Sequence, residues 1–244
     1  KILFISLLPI LMTILSVKKV QKSFKKKQAL NIERLDIEKG ELIGIVGNNG
    51  AGKTTLFRAI LDLLKLDSGV IWIGDDVVAG SMHWKKMLHA FLDESFLIEF
   101  LKPNEYFEFI GKTLGMDKKQ VKAQLDLYPE LHNEDILESS KLIRELSTGS
   151  KVRVGLLATL LGDPEMILLD EPYAHLDPSS QAKLSKLIKQ LNEKGTTVIL
   201  SSHNLHNVAQ ICSRIVLIEA GEVIKDEAVS DRVITEVNQY FGGE

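Results

Sequence analysis

Near its start the sequence reads Gly47-Asn48-Asn49-Gly50-Ala51-Gly52-Lys53-Thr54-Thr55, which fits the pattern G-x-x-x-x-G-K-[ST] at every position. In such a turn the backbone N–H groups converge on one point, and the helix that follows adds partial positive charge there. Gly47, Gly50 and Gly52 permit backbone angles and a close approach that a β-carbon would block. Lys53 is expected to reach the β- and γ-phosphates of a nucleotide, and Thr54 to bind Mg²⁺. The run predicts a nucleotide-binding turn that uses residues 47–55.

The flanks of the turn favour this interpretation over a plain glycine-rich turn with a solvated lysine. Residues 41–46 form a short apolar run typical of a buried strand, and residues 53–64 show the spacing of a helix. The pattern therefore stands in the strand–turn–helix setting that phosphate binding requires.

Composition limits the classes of protein to which the chain can belong. It has 244 residues, is 45% hydrophobic and carries a formal net charge of −3. This is enough apolar material for a packed core, and the charge argues against a nucleic-acid-binding surface spread over the whole protein. Lys25, Lys26 and Lys27 are interpreted as a solvated loop. Cys212 is the only cysteine in the sequence, which excludes an internal disulfide and a Cys-rich zinc site.

An apolar run precedes the first predicted strand. Only sixteen residues, interrupted by Pro9, separate Lys1 from Lys18, whereas roughly 17 to 25 apolar residues are needed to cross a bilayer. No small-x-small cleavage site follows the run, so a signal peptide is not expected either. We interpret residues 1–11 as an apolar extension, either an upstream segment or a non-native remnant, with Met12 as the natural start. Residues 12–244 are then predicted to form a single domain.

Strands and helices alternate along the rest of the chain. Strand-like runs occupy residues 14–20, 32–37, 42–46, 70–73, 166–169, 197–201 and 215–218. The clearest helical segments are residues 104–114, 118–127, 150–161 and 179–194. This order predicts an α/β fold with a largely parallel sheet, helices on both faces, and a helical insertion near residues 94–161.

Two carboxylates follow the apolar strand at residues 166–169. Ligands of open α/β sheets lie at the carboxyl ends of strands, so Asp170 and Glu171 are candidates for the nucleotide site. Asp170 is expected to hold Mg²⁺, directly or through water, and Glu171 to act as general base toward the attacking water. An acidic turn after a strand is common, and the phosphate-binding turn upstream is what favours the catalytic interpretation.

A second turn opens the helix that precedes the acidic strand. It reads Leu146-Ser147-Thr148-Gly149-Ser150, and Ser147 can cap the helix. A capped helix N-terminus can face an anion, although most capped helices are ordinary structural elements.

Taken together, these motifs resemble the nucleotide-binding subunit of an ABC transporter, from Met12 to about Glu227. Residues 47–54 match the phosphate loop of that family, and residues 146–150 match its signature motif, with Ser147 and Gly149 as nucleotide contacts. Asp170 and Glu171 match its magnesium and catalytic carboxylates. The resemblance implies a phosphate-loop NTPase fold of ABC type, with a parallel core, an antiparallel β subdomain and a helical subdomain.

Three further positions gain a role from the resemblance alone. His203 matches the switch histidine at a strand end, which is catalytic in the family, and Phe24 occupies the position of the aromatic residue that stacks on adenine. Leu176-Asp177 matches the loop that connects the two active sites. Without the resemblance, Phe24 would pass as a core residue and His203 as a loop histidine.

The resemblance also implies cofactors and partners. Two chains, as a homodimer or with a related ATPase subunit, are expected to close head to tail around two ATP molecules with Mg²⁺. Hydrolysis would drive a separate membrane-spanning permease, with the chain in the cytoplasm on the inner face of the cell membrane. No nucleic acid is expected as a partner.

The sequence departs from the family pattern at a few positions. The family usually has glutamine at the end of the strand that enters the helical region, where the nearest equivalent is Asp93. An aspartate could still bind Mg²⁺, with a shorter reach and an added charge. Thr148 and Ser150 stand where glycine and glutamine are commoner, and Ala174-His175 replace small residues of the connecting loop.

Three functional hypotheses follow. The first is an ATPase subunit of a transporter, of exporter type by the residues around Arg144-Glu145-Leu146 and the helical stretch after Asn104. The second is an ABC-type ATPase acting on ribosomes or nucleic acid, whose usual tandem or coiled-coil organisation this sequence lacks. The third is another phosphate-loop enzyme, a GTPase or a small-molecule kinase, but the sequence has no Asn-Lys-x-Asp guanine motif.

Overall fold

The computed structural model describes residues 12–132, 134–137 and 139–242. The strands, β1 to β10, are Thr13–Phe24, Lys27–Glu38, Leu42–Val46, Ser68–Ile73, Asp76–Val77, Leu88–Phe91, Met166–Leu169, Thr197–Ser202, Arg214–Glu219 and Glu222–Ala228. The helices, α1 to α8, are Lys53–Ile60, Pro103–Thr113, Lys118–Leu125, Glu134–Leu137, Thr148–Leu160, Pro178–Glu193, Leu205–Ala209 and Asp231–Gly242. The expected extension at residues 1–11 lies outside the described residues, so the proposed start at Met12 stays a prediction.

Two sheets organise the described part of the chain. The larger has the order β10-β9-β3-β8-β7-β6, and its strands are parallel except for β10, which runs antiparallel to β9. The smaller is antiparallel, with the order β2-β1-β4-β5. The parallel core and the antiparallel subdomain agree with the fold expected from the sequence.

The central strands separate two hydrophobic cores. Alternate side chains of a strand point to opposite faces, so Leu42 and Val46 lie in one core while Ile43 and Ile45 lie in the other. Strands β3, β7 and β8 are buried along their whole length, which explains their continuous apolar sequences. The first core is formed with α2, α3, α5, α6, α7 and α8. The second core contains α1 and residues of the antiparallel sheet. Helices therefore cover both faces of the larger sheet, as predicted, and on the second face the antiparallel sheet packs there as well.

Several predicted element boundaries were wrong. Helix α1 ends at Ile60, not near residue 64, because Asp62 adopts a left-handed φ of 55° and the next N–H, that of Leu63, bonds to Arg58 O at 2.9 Å. This is a Schellman ending, in which a left-handed residue closes the last turn. Strands β1 and β2 are longer than predicted because their polar ends pair with each other in an antiparallel ladder. The helices α2 to α5 lie within the segment predicted as a helical insertion.

Candidate functional site

The predicted phosphate loop links the end of β3 to the start of α1. Gly50 and Gly52 have φ angles of 82° and 115°, which lie in the left-handed region that favours glycine. A β-carbon on Gly47 would lie 2.3 Å from Ile218 O, and one on Gly52 would lie 2.8 Å from Ala29 O. All three glycines are therefore required by the backbone, as expected from the sequence. The remaining loop residues of the prediction, Asn48, Asn49, Ala51 and Thr55, lie in the same turn and the first turn of α1.

Backbone hydrogen bonds hold this loop in place. Ala51 N donates to Asn48 O at 3.0 Å, and Gly221 N donates to Ala51 O at 2.7 Å. The turn between β9 and β10 is therefore hydrogen-bonded to the phosphate loop, and β2 contacts the same loop at Ala29.

Lys53 begins α1 and its side chain is only 6% exposed. Its ammonium donates to Gly47 O at 2.7 Å and lies 3.4 Å from Glu171 Oε1. A buried ammonium that contacts a loop rich in backbone N–H groups is well positioned to bind the phosphates of a nucleotide.

Thr54 and Asp170 form the oxygen-rich part of the site. The Thr54 hydroxyl donates to Asp170 Oδ2 at 2.6 Å, and the Ser201 hydroxyl donates to Asp170 Oδ1. Burial raises the pKa of Asp170 above that of an ordinary aspartate, and the hydrogen bonds from Ser201 and Thr54 oppose this effect. A hydroxyl and a carboxylate that face each other are hard oxygen donors of the kind that Mg²⁺ prefers. Among the described residues there is no cluster of three or more His, Cys, Asp or Glu that could hold a metal by itself.

Glu171 has an unusual backbone and a histidine partner. Its φ of 46° is left-handed, which is uncommon for a non-glycine residue and often marks a functional site. Its N–H donates to the Ser201 hydroxyl at 2.9 Å, which holds this turn. Its Oε2 lies 2.9 Å from His203 Nδ1 and accepts a bond of 3.3 Å from His203 N. Glu171 is therefore directed toward His203 on one side and toward Lys53 on the other.

Parallel strand register explains why these residues meet. Leu169 of β7 pairs with Leu200 of β8, so the next residues, Asp170 and Ser201, lie side by side where the strands end. Asp170 N also donates to Phe91 O of β6 at 2.9 Å. The cluster lies at the carboxyl edge of the sheet, where open α/β folds bind their ligands.

Ser201 is the site residue that sequence reasoning missed. The sequence pattern placed it only at the end of a predicted strand, residues 197–201, yet it contacts both Asp170 and the backbone of Glu171. Ser201 follows the apolar residues 198–200 near the carboxyl end of β8, and its complete burial is visible only in the structure. Such a polar group needs a partner, and the neighbouring strand supplies one.

The signature turn has its own set of contacts in the described chain. The Ser147 side chain accepts from Ser150 N at 3.3 Å and caps α5, as predicted. Its side-chain hydrogen bonds in the described chain stay within its own turn. A β-carbon on Gly149 would lie 3.1 Å from His175 O, so the signature turn packs against the predicted connecting loop.

Two predicted contacts lie at the edges of the site. Asp93 follows β6 and caps the short 3₁₀ helix Glu94–Phe96, where its carboxylate accepts from Ser95 N at 2.7 Å. Phe24 ends β1 and is 51% exposed. Hydrogen bonds and the Lys53–Glu171 ion pair connect five of the predicted site residues through Ser201: Lys53, Thr54, Asp170, Glu171 and His203. Within the described part of the chain, neither Asp93 nor Phe24 belongs to this network.

Comparisons with known proteins agree with this geometry. The family described as "ABC transporter" matches residues 30–174. The ABC transporter ATP-binding protein NatA of Bacillus subtilis is 33% identical over 210 residues, which cover 85% of each chain. The methionine import ATP-binding protein MetN of Carboxydothermus hydrogenoformans is 31% identical over 215 residues, 85% of this chain and 63% of that protein.

A solved structure of an ATP-binding cassette has the same fold as this chain. The dimeric ATP-binding cassette MJ0796 in a post-hydrolysis state, bound to ADP and Pi, superimposes with a TM-score of 0.78 at 26% identity. The match covers 88% of this chain and 99% of that one. The chain therefore belongs to the ABC transporter family and is an ATP-binding, ATP-hydrolysing subunit of a transporter.

Proposed function

We propose that residues 12–242 form one ATP-binding domain, two of which close head to tail around two ATP molecules with Mg²⁺. The observation that carries this proposal is the separation of the two predicted half-sites. Thr54 is hydrogen-bonded to Asp170, and Lys53 is ion-paired with Glu171. The Ser147 side chain, in contrast, hydrogen-bonds within its own turn, which packs against the connecting loop at His175 O. A second copy can bring its Ser147 turn to the phosphates. The dimeric state of MJ0796, named with ADP and Pi, supports this arrangement.

Each residue of the cluster then has a chemical role. Lys53 and the loop N–H groups bind the β- and γ-phosphates, and residues 47–55 line this part of the site. Thr54 and Asp170 hold Mg²⁺, which when bound neutralises charge on the phosphate oxygens. Glu171 accepts a proton from the attacking water, and His203 orients the Glu171 carboxylate at 2.9 Å. The predicted metal role of Asp93 stays a prediction, since its carboxylate caps Ser95 N.

The membrane-spanning partner is proposed to dock in an apolar groove between β6, α2 and α5. The groove encloses about 400 Å³ and includes the half-exposed side chains of Leu63 and Phe96. The 3₁₀ helix that begins after Asp93 supplies Phe96, so the groove adjoins the edge of the nucleotide site. Among the described residues no helix is long and apolar enough to span a bilayer. We place the chain on the inner face of the cell membrane, in the cytoplasm, where ATP is available.

A transport role is favoured over action on ribosomes or nucleic acid, because the relatives are named as transporter subunits. The exporter-type assignment stays a prediction, since MetN is named for methionine import.

The proposal is tested by dimerisation in ATP. Light scattering of the Glu171→Gln protein should show a monomer without nucleotide and a dimer with ATP and Mg²⁺. Adding Ser147→Arg should prevent the dimer while leaving ATP binding by the monomer unchanged. Asp117→Arg, which removes the matching cap of α3, should leave the dimer intact. Normal ATP-dependent dimerisation of the Ser147→Arg protein would contradict the split site.

A further inference from the structure

One carboxylate organises the end of β1. Asp67 Oδ1 accepts from Lys22 Nζ at 3.0 Å, and Asp67 Oδ2 accepts from Ser23 N at 2.6 Å. The Lys22 ammonium lies over the ring of Phe24, 5.5 Å from its centroid, which is within the range of a cation–π contact. Asp67 thus fixes both the backbone that leads into Phe24 and the cation that covers one face of its ring.

The lysine of this ion pair is partly buried. The Lys22 side chain is only 15% exposed although lysine is usually among the most exposed residues. The hydrogen bond from Lys22, with that from Ser23 N, holds the pKa of Asp67 below its usual value. Asp67 N in turn donates to Gln21 O at 3.0 Å, which ties the segment after α1 to β1.

Lys22 and Phe24 lie at the end of β1 that leads into β2, the strand that contacts the phosphate loop. Phe24 pairs with Lys27 at the end of the β1–β2 ladder, and β2 reaches the loop two residues later, at Ala29. The Ala29 carbonyl is so close that a β-carbon on Gly52 would lie 2.8 Å from it. The turn between β1 and β2 therefore connects Phe24 to the backbone that contacts the phosphate loop, and the half-exposed ring of Phe24 has Lys22 over one of its faces.

We propose that Lys22 and Asp67 are positioning residues for the base of the bound nucleotide: they hold the Phe24 ring as a plate whose free face stacks on adenine. This inference rests on the proposed function and extends it to the base end of the site. A cation over one face draws on the negative π-face of the ring, and the opposite face then meets the electron-rich purine with less repulsion. The salt bridge also reduces the rotamer freedom that the ring would lose when a base binds.

The alternative is an ordinary surface ion pair, which contributes little to any function. An ordinary pair would affect neither base binding nor Phe24. Lys118 and Glu108 form such a pair at 2.8 Å on the helical subdomain, and Lys118→Met provides the matched control.

The test measures dissociation constants for ATP and for inorganic tripolyphosphate, both with Mg²⁺. Phe24→Leu should weaken ATP about tenfold, as expected for the loss of base stacking. Lys22→Met and Asp67→Asn should each weaken ATP about threefold, as expected for an exposed cation–π contact. None of these three substitutions should change the affinity for tripolyphosphate. The control Lys118→Met should change neither the ATP affinity nor the tripolyphosphate affinity.

A double substitution shows whether Lys22 acts through the ring. If it does, Lys22→Met should have no further effect on ATP affinity in the Phe24→Leu protein. Additive losses of ATP affinity, or equal losses for ATP and tripolyphosphate, would overturn the proposal.

Lys53→Ala distinguishes the phosphate site from the proposed role of Phe24, because it should abolish binding of both ligands. Unchanged binding of ATP and tripolyphosphate to the Lys53→Ala protein would refute the phosphate site itself. An ATP affinity that Phe24→Leu leaves unchanged would refute only the stacking of Phe24 on adenine.

Discussion

Thr54 Oγ1 donates a 2.6 Å hydrogen bond to Asp170 Oδ2, across 116 residues of sequence. The bond joins the first turn of α1 to the end of β7. It brings together two oxygen atoms, a hydroxyl and a carboxylate oxygen, of the kind that Mg²⁺ prefers as ligands. Asp170 is 6% exposed and its pKa is raised by burial, so a bound cation would compensate a charge that the fold has removed from water. The proposed metal-binding part of the site is thus built into the contact between these two elements.

Replacing the proposed general base should separate binding from hydrolysis. Glu171→Gln keeps the shape of the side chain and its contact with His203 but cannot accept a proton. We expect the ATPase rate to fall by about 10²- to 10⁴-fold with ATP affinity retained. Glu165→Gln, before the opposite end of β7, is the matched control and should hydrolyse ATP normally. Turnover near the wild-type rate in the Glu171→Gln protein would exclude Glu171 as the base.

The missed residue Ser201 should matter for both stability and rate. Ser201→Ala leaves the buried Asp170 without one donor and Glu171 N without its acceptor. We expect a loss of about 1 to 3 kcal/mol in the free energy of unfolding and a fall of about 10- to 100-fold in kcat.

Thr197→Val is the control for Ser201→Ala, because it removes a buried hydroxyl that accepts from Gly40 N at the opposite end of β8. That variant should lose stability and keep its kcat. A normal kcat in the Ser201→Ala protein would show that Ser201 does not position the two carboxylates.

The sequence predicted which candidate site residues lie together, but it did not predict the residues that hold them in place. Motif positions such as Lys53 and Glu171 are recognisable because chemistry restricts their residue types and spacing. Ser201 is not, since its importance depends on the register between β7 and β8, which no local pattern reveals. For the same reason the sequence did not show that Asp93 caps a 3₁₀ helix or that Lys22 covers the ring of Phe24.

Element boundaries failed for a related reason. The apolar pattern of α1 continues past Ile60, but the left-handed residue Asp62 ends the helix. The polar ends of β1 and β2 carry no alternation that would predict a strand, and their pairing with each other is what orders them. Fully buried strands such as Leu42–Val46 and Met166–Leu169 were predicted with the correct bounds, because burial on both faces demands continuous apolar sequence.

Stability should depend on pH through His89. Burial lowers the pKa of this side chain from 6.5, although its contact with Thr159 O acts in the opposite direction. The folded state therefore disfavours the protonated form, and its stability should fall as pH drops below about 6.5, until His89 is also protonated in the folded protein. Urea unfolding at pH 5.5 and 7.5 should show a smaller difference for His89→Gln than for wild type. An equal difference would exclude His89 as a contributor.

Close packing should outweigh helix propensity at Gly155. Alanine normally stabilises a helix by roughly 0.5 to 1 kcal/mol relative to glycine. A β-carbon on Gly155 would lie 2.1 Å from Phe91 Cε2, however, so helix α5 would have to move away from β6. We expect Gly155→Ala to lower the free energy of unfolding by about 1 to 3 kcal/mol. Phe91→Leu in the same protein should recover part of it, and a Gly155→Ala protein more stable than wild type would contradict this packing.

The central claim is that each ATP site needs the phosphate loop of one chain and the signature turn of another. Mixing two inactive proteins, Lys53→Ala and Ser147→Arg, tests it most directly. A mixed dimer has one site with an intact Lys53 loop from one chain and an intact Ser147 turn from the other. We predict that the mixture hydrolyses ATP although neither parent does. A mixture as inactive as its parents, at concentrations where wild type is active, would contradict the split site.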